Sequence, residues 1–292
     1  MASNRQYKDS VFSFLFNEPA ALRELYGAIR GIELSPDIPV TINTLEGILY
    51  KTLLNDISFE IAKKLVVLIE HQSTINPNMA VRLLLYIAKV YEKLISWRNL
   101  YGRKKLSIPR PEFIVLYNGR EPYSDEALLK LSDAFEDAVS LGFSRESVPA
   151  LELTVRIYNI NRGHNEQIIR RSKTLEGYST LIGKVRDYER ELGGGRNPYR
   201  LSDEEKEEAM TKAVRWCIGQ NILKGFLETH GSEVVNMLMS EWKLEDALVV
   251  EREEGREEGR EETARNALAE GLPVEIIQKI TGLDFETIKS LQ

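Results

Sequence analysis

Several residue and segment types are scarce in this chain of 292 residues, and each scarcity excludes a class of protein. The single cysteine, Cys217, cannot form an internal disulfide and suits a reducing compartment. Three histidines are too few to favour a zinc site built from several of them. No apolar run approaches the roughly 20 residues that a membrane-spanning helix needs, and the first ten residues lack the apolar core of a signal peptide. We therefore expect a cytoplasmic protein that does not contact a membrane.

Positive charge is also in short supply. The net charge is −6 and the isoelectric point lies near 5.4, so the chain as a whole does not attract nucleic acid. Any contact with DNA must come from a local basic patch. The sequence contains no G-x-G-x-x-G or Walker-type phosphate loop, which excludes the nucleotide-binding folds that depend on one.

The stretch 55–73 predicts two short strands joined by a tight turn. Apolar and polar residues alternate over 56–61, which is the period of a half-buried strand. The continuous apolar run 65–69 is typical of a central strand that is covered on both sides. The polar residues between the two segments place the turn at Lys63.

Two carboxylates of this predicted hairpin are candidates for a metal site. Positions equidistant from the turn face each other, so Asp56 lies opposite Glu70, with Cβ atoms roughly 5 Å apart. Gln72 follows two residues later and shares that face of the strand. Two carboxylates this close repel each other, and a divalent cation bound between them would relieve the repulsion. Alternatively, one carboxylate pairs with a lysine or an arginine, or the true register separates the two.

The rest of the sequence predicts an α/β fold with a mixed sheet. A strand, a crossover helix and another strand in sequence imply such a sheet, with helices on both faces, and the hairpin supplies its antiparallel part. We predict a strand over 40–50, strands over 112–117 and 151–160, helices over 9–30 and 78–101, a segment with helical character over 125–140, and helices from about 166 onward that are interrupted at 193–195.

The C-terminal tail differs from the rest of the chain. Residues 251–262, EREEGREEGREE, repeat a four-residue unit with Glu–Arg pairs three residues apart. The favoured interpretation is a solvated charged helix that acts as a spacer. Alternatively, Gly255 and Gly259 let a second helix approach closely in an oligomer. Residues 264–291 predict two short amphipathic helices with too little positive charge for a DNA reader, which favours a docking or oligomerisation module.

The hairpin and the segments around it resemble a known family. NDISF at 55–59, LVVLIEHQSTINPNMAVRLLLYIAKVYEKL at 65–94 and PEFIVLYNG at 111–119 resemble the Rpn family of recombination-promoting nucleases and transposase-like proteins. That family belongs to the PD-(D/E)XK nuclease superfamily. The likeness extends to KDSVF near the start, to YNIN at 158–161, and to EEGREEG and ITGL in the tail, so it covers nearly the whole chain.

The resemblance implies a mixed-sheet PD-(D/E)XK nuclease-like sandwich, followed by helices and a charged helical tail. We expect a nuclease-like domain with a helical extension over 1–245, and a charged helix with a small helical module over 246–292. By the same resemblance, Asp56 and Glu70 hold Mg²⁺, or Mn²⁺ or Ca²⁺ in its place. Gln72 takes the position of the lysine that assists the attacking water in the superfamily. This is a departure, because a neutral amide can orient a water or a phosphate but cannot neutralise charge.

Further residues complete this expectation. Glu24, and less so Glu18, is a candidate for the helix-borne glutamate that completes such sites, although both also suit a solvated surface. Arg82 either contacts a phosphate through its fork of donors or pairs with a carboxylate. The predicted DNA-contact patch contains Arg98, Arg103, Lys104 and Lys105.

The predicted function is Mg²⁺-dependent hydrolysis of DNA phosphodiester bonds, linked to recombination or mobile DNA. Two alternatives follow from the same residues. A catalytically degenerate nuclease fold would act as an oligomerising or DNA-binding module, or a recombination factor would bind DNA ends through its tail. A homo-oligomer formed through the C-terminal tail is a further expectation.

Overall fold

A computed structural model describes residues 10–43, 56–137, 139–142 and 148–291. The predicted strand over 40–50 is present in its first three residues, and positions 44–50 lie outside the described residues. Asp9, a plausible cap of the helix predicted over 9–30, also lies outside them. The cap of the first helix is Ser10, whose hydroxyl accepts a hydrogen bond of 3.0 Å from the Ser13 N–H.

Ten helices and six strands make up the described residues. The strands are Val40–Ile42 (β1), Asp56–Ile61 (β2), Leu65–Gln72 (β3), Arg110–Tyr117 (β4), Glu126–Lys130 (β5) and Thr154–Asn159 (β6). The helices are Val11–Leu15 (α1), Pro19–Arg30 (α2), Met79–Leu94 (α3), Trp97–Leu100 (α4), Glu166–Ile169 (α5), Lys173–Gly193 (α6), Asp203–Gly219 (α7), Lys224–Ala269 (α8), Val274–Thr281 (α9) and Phe285–Ser290 (α10).

The six strands form one mixed sheet in the order β1-β2-β3-β4-β6-β5. The central strands β3, β4 and β6 are parallel, whereas β1, β2 and β5 join by antiparallel pairing. The predicted α/β fold with a mixed sheet is therefore confirmed. Because the three central strands run the same way, their last residues, Gln72, Tyr117 and Asn159, lie along one edge of the sheet, called here the carboxyl edge.

Helices cover both faces of this sheet. Val67 and Ile69 of β3 belong to a large core that also contains residues of α1, α2, α6, α7 and α8, and this side is called here the α6 face. Val66 and Leu68 point the other way into a smaller core formed with α3, on the α3 face. Since successive side chains of a strand alternate between faces, Glu70 and Gln72 belong to the α3 face and His71 to the α6 face.

The hairpin of β2 and β3 has the predicted register. Ala62 and Lys63 adopt positive φ angles of 52° and 55°, and the Lys64 N–H donates to the Ile61 carbonyl at 2.9 Å. Because Ile61 pairs with Leu65, the loop has three residues, 62–64, and this hydrogen bond closes it. The turn fixes the pairing from Ile61 opposite Leu65 to the far end of β2.

Three predicted elements differ from the structure. The helix predicted over 78–101 is interrupted at 95–96, so it forms α3 and the separate short α4. The single helix over 9–30 is two helices, because Pro19 lacks an N–H and its ring blocks continuation from α1, so it begins α2 instead. The segment with helical character over 125–140 is helical only in its second half, where two short 3₁₀ helices lie at Leu131–Ala134 and Val139–Leu141, and its first half is β5. Its alanine, leucines, glutamate and lysine individually favour helix, but antiparallel pairing with β6 overrides that preference.

The C-terminal tail is one long helix with a small cap. α8 runs for 46 residues and includes the charged repeat, and α9 and α10 pack against its last turns. Ala264, Ile277, Leu283 and Ile288 form the small core of this part. Among the helices of the described residues, none combines the length and apolar character that crossing a membrane requires.

Candidate functional site

The candidate site lies on the α3 face at the carboxyl edge, where β3 ends and α3 begins. A short connection after Gln72 turns the chain back, so the first residues of α3 lie over the end of the strand. Gln72 Nε2 lies 2.9 Å from the sulfur of Met79, the first residue of that helix. Local chain reversal therefore brings the polar end of β3 together with the first turns of α3.

Glu70 is the centre of this site. It is only 3% exposed, and its Oε1 atom lies 2.5 Å from Nη2 of Arg82. The same oxygen accepts a hydrogen bond from Gln72 Nε2 at 2.9 Å. The other oxygen, Oε2, is buried and has no hydrogen-bond partner within the described part of the chain. Oε1 therefore has two polar partners, whereas Oε2 has none among the described residues.

The electrostatics of Glu70 reflect this imbalance. Burial raises the pKa of its carboxyl, and the charge of Arg82 and the hydrogen bonds from Gln72 and Arg82 only partly oppose that rise. A carboxylate removed from water needs compensating positive charge to remain ionised. The arrangement therefore leaves Glu70 able to accept a further cationic partner.

Arg82 adopts the second of its two predicted roles, since it pairs with a carboxylate. Besides Glu70, its guanidinium lies 3.4 Å from the hydroxyl of Tyr86 and 3.4 Å from the sulfur of Met79. Its side chain keeps 28% of its surface exposed. A partly exposed guanidinium at the rim of the site can turn toward a bound anion without crossing the core.

The backbone register places Asp56 directly opposite Glu70. This confirms the pairing of positions that the sequence predicts, and with it the juxtaposition of two acidic residues on neighbouring strands. Among the described residues, no group of three or more histidine, cysteine, aspartate or glutamate side chains is placed to hold a metal ion. A metal at this point would depend on Glu70 and on Asp56 across the hairpin.

Glu24 does not join this group. It belongs to α2, whose buried residues pack on the α6 face, and its Oε1 accepts a hydrogen bond of 3.4 Å from the Thr174 N–H. Glu18 precedes the same helix as its N-cap residue. The sheet therefore separates both glutamates from Glu70.

The predicted DNA-contact patch also lies elsewhere. Its residues follow the far end of α3, where the Tyr91 hydroxyl donates to the Pro109 carbonyl at 2.6 Å, just before β4 begins. A helix of 16 residues is about 24 Å long. Arg98, Arg103, Lys104 and Lys105 are exposed at the opposite edge of the sheet from Glu70.

His71 points away from the site, as the alternation of β3 predicts. Its ring stacks on Phe12 with centroids 4.6 Å apart, and its Nε2 atom lies 2.9 Å from the Tyr178 hydroxyl. Burial, helped by the charge of Arg186, lowers the pKa of His71 to about 3. This histidine is a neutral core residue that ties β3 to α6.

A second polar cluster at the carboxyl edge escaped the sequence analysis. Arg186 of α6 donates to the carbonyl of Asn118, just after β4, and to Oδ1 of Asn161, just after β6, the latter at 2.5 Å. The asparagines at the two strand ends are visible in the sequence and read simply as strand terminators. Nothing local marks Arg186, because its partners lie 25 and 68 residues away.

Comparison with known proteins gives one match. The model of a family described as "Putative transposase, YhgA-like" matches residues 50–176, which is less than half of the chain. The matched segment contains β2 to β6 and α3, and therefore the whole of the Glu70 site. No curated protein and no solved structure matches the chain.

Proposed function

We propose that this protein is a metal-dependent DNA endonuclease that hydrolyses phosphodiester bonds during recombination or movement of DNA. The observation that carries the proposal is the cross-strand pairing of Asp56 with the buried Glu70, one oxygen of which has no hydrogen-bond partner among the described residues. The description of the matching family supports the association with mobile DNA.

The donor set suits Mg²⁺, with Mn²⁺ or Ca²⁺ as substitutes. Hard divalent cations prefer carboxylate oxygens, and Asp56 and Glu70 provide them. The unsatisfied Oε2 of Glu70 is the kind of buried polar atom that a bound cation would compensate. When bound, such an ion polarises the scissile phosphate and lowers the pKa of an attacking water.

The surrounding residues have distinct tasks in this proposal. Gln72 is a positioning residue, because its amide holds Oε1 of Glu70 and so fixes the direction of Oε2. Arg82 balances the charge of Glu70 in the free protein. When a DNA phosphate enters, the exposed part of its guanidinium offers that phosphate a fork of donors.

Plasmid nicking by the purified protein tests the proposal. With Mg²⁺ present, the wild type nicks, and Asp56→Asn and Glu70→Gln each lower the rate by about 100-fold or more, since each removes one carboxylate ligand. Glu60→Gln is the matched control, because Glu60 lies on the same strand four residues from Asp56 and faces Val66 rather than an acidic residue. It should cleave as the wild type does. Undiminished cleavage by folded Asp56→Asn would refute the assigned site.

A second candidate function is a nuclease fold without catalysis that binds DNA or oligomerises. It is favoured by the Glu70–Arg82 ion pair, in which an arginine already supplies positive charge, and by glutamine in the lysine position. Calorimetric titration with Mn²⁺ separates the two functions. The nuclease binds the ion and loses that binding in Glu70→Gln, whereas the degenerate protein shows no binding in either form.

A further inference from the structure

We propose that the cleft between α6 and the ends of β4 and β6 is a phosphate-binding subsite that holds the backbone of the DNA substrate. The inference rests on the proposed function, because it names where the nucleic acid lies relative to Glu70. It replaces the predicted patch beyond α3 as the main DNA contact.

The cleft is a defined concavity at the carboxyl edge, on the α6 face. Its volume is about 140 Å³, and its lining includes six charged or amide side chains, those of Asn118, Asn161, Arg162, Arg186, Asp187 and Arg190. Three of the six are arginines, whose planar forks of donors match phosphate oxygens. In a chain with a net charge of −6, this concentration of arginine is local.

The single carboxylate of the cleft does not cancel its positive charge. Asp187 accepts two hydrogen bonds from Arg162, of 3.0 and 2.9 Å, and lies 3.6 Å from both Lys184 and Arg190. One negative charge is therefore shared among three cations. The side chains of Arg162 and Arg190 keep 58% and 74% of their surface exposed, so both can reach a ligand in solution.

Arg186 is held in place by neutral groups. The carbonyl of Asn118 and the side-chain oxygen of Asn161 accept two of its hydrogen bonds, and these neutral acceptors orient the guanidinium. Asn118 is 6% exposed, and its Oδ1 has no hydrogen-bond partner among the described residues. The floor of the cleft thus holds an oriented guanidinium. The amide oxygen beside it is an acceptor and does not itself bind a phosphate.

The location of the cleft fits the proposed catalytic site. Parallel strands bind ligands at their carboxyl ends, and the cleft and Glu70 share the carboxyl edge of the sheet, on its two faces. A DNA backbone that crosses this edge meets both. The patch at Arg98 and 103–105 lies at the other end of α3. Substitutions in the cleft and in the patch can therefore show which of the two clusters binds DNA.

Fluorescence anisotropy with a labelled DNA duplex, in the absence of divalent metal, tests the inference. Arg162→Gln/Arg190→Gln should weaken binding roughly tenfold per lost contact at 0.1 M salt, and lower the salt slope by about 0.9 per contact. Arg170→Gln/Lys224→Gln is the matched control, because it removes two surface cations that pair with glutamates of their own helices. It should bind as the wild type does. Arg103→Gln/Lys104→Gln measures the rival patch.

Three results would overturn the inference. They are wild-type protein that binds no duplex, a cleft variant that binds as tightly as the control, and a loss confined to the patch variant. Arg190→Gln alone keeps the test decisive if the double variant unfolds, because Arg190 is the most exposed arginine of the cleft. A cleft variant that binds weakly, together with an Asp56→Asn variant that still cleaves, would retain the subsite and reject the catalytic assignment.

Discussion

Two adjacent residues of β3, Glu70 and His71, lie on opposite faces of the sheet and have different environments. Both are buried, and burial acts on them with opposite signs, raising the pKa of Glu70 and lowering that of His71. One oxygen of Glu70 pairs with Arg82, and the other has no hydrogen-bond partner among the described residues, so it is placed to accept a ligand. His71 is stacked and hydrogen bonded inside the core, so its environment favours one neutral state.

The buried His71 predicts a loss of stability in mild acid. Its pKa is about 3 in the folded protein and near 6.5 when unfolded. Its contribution is therefore fully present above pH 6.5 and is lost as the pH falls toward 3, since the unfolded chain takes up the proton first. Between pH 6.5 and pH 5 the wild type should lose about 2 kcal/mol from this group. Chemical denaturation at the two pH values measures the loss.

His71→Gln is the comparison, because it removes the titrating group and keeps a hydrogen-bonding side chain. It should be less stable than the wild type at pH 7 but change less between the two pH values. The other two histidines are present in both proteins, so their contributions cancel. Equal acid losses in the two proteins would contradict the assignment of a neutral buried His71.

At the scale of elements, the charged repeat of α8 forms a continuous helix despite its two glycines. A Cβ added at Gly255 or Gly259 would meet nothing within 4 Å. Their exposed setting supports the spacer interpretation for the chain by itself. Neither glycine is needed for packing against another element within the described residues.

Gly255→Ala/Gly259→Ala should therefore stabilise this segment by about 1 kcal/mol per substitution, because alanine is the better helix former. Hydrogen exchange of the segment measures the gain, and analytical ultracentrifugation should show the same mass as for the wild type. The control is Gly225→Ala, which makes the same change near the start of this helix but outside the charged repeat. A Cβ there would also meet nothing within 4 Å. A lower mass for the double variant would favour the alternative, in which the glycines let a second helix approach.

The whole molecule consists of a sheet with helices on both faces and a tail that packs mainly on itself. The large core of the α6 face extends along α8 as far as Trp242, and the small core of the tail draws its buried residues from position 264 onward. α9 and α10 make their main contacts with α8 and with each other. The end of the chain therefore adds little to the packing around the sheet.

Deletion of 263–292 should leave the midpoint of the main unfolding transition within about 2 °C of the wild type, since it removes no residue of the cores on the α6 face and the α3 face. DNA binding should also be retained, because the proposed subsite lies between α6 and the sheet. Differential scanning calorimetry and anisotropy measure the two properties. Loss of DNA binding in this deletion variant would favour a factor that holds DNA ends through its tail.

The part of the site that could be predicted is the part encoded by short-range patterns. Alternation over 56–61 and the position of the turn were enough to pair Asp56 with Glu70, and the register confirms that pairing. The predicted β4 and β6 are present with shifted ends, because strand ends depend on the neighbouring strand. β5 was missed, since its partner strand, and not its composition, decides its conformation.

Local patterns of residues specify the hairpin, its register, the mixed α/β class and the helical tail, because periodicity and turn chemistry act over a few residues. The folded structure was needed to show that Arg82 pairs with Glu70, that Glu24 lies across the sheet, and that Arg186 joins the ends of β4 and β6. These contacts depend on which elements pack together. Their geometry exists only after the helices settle on the two faces of the sheet.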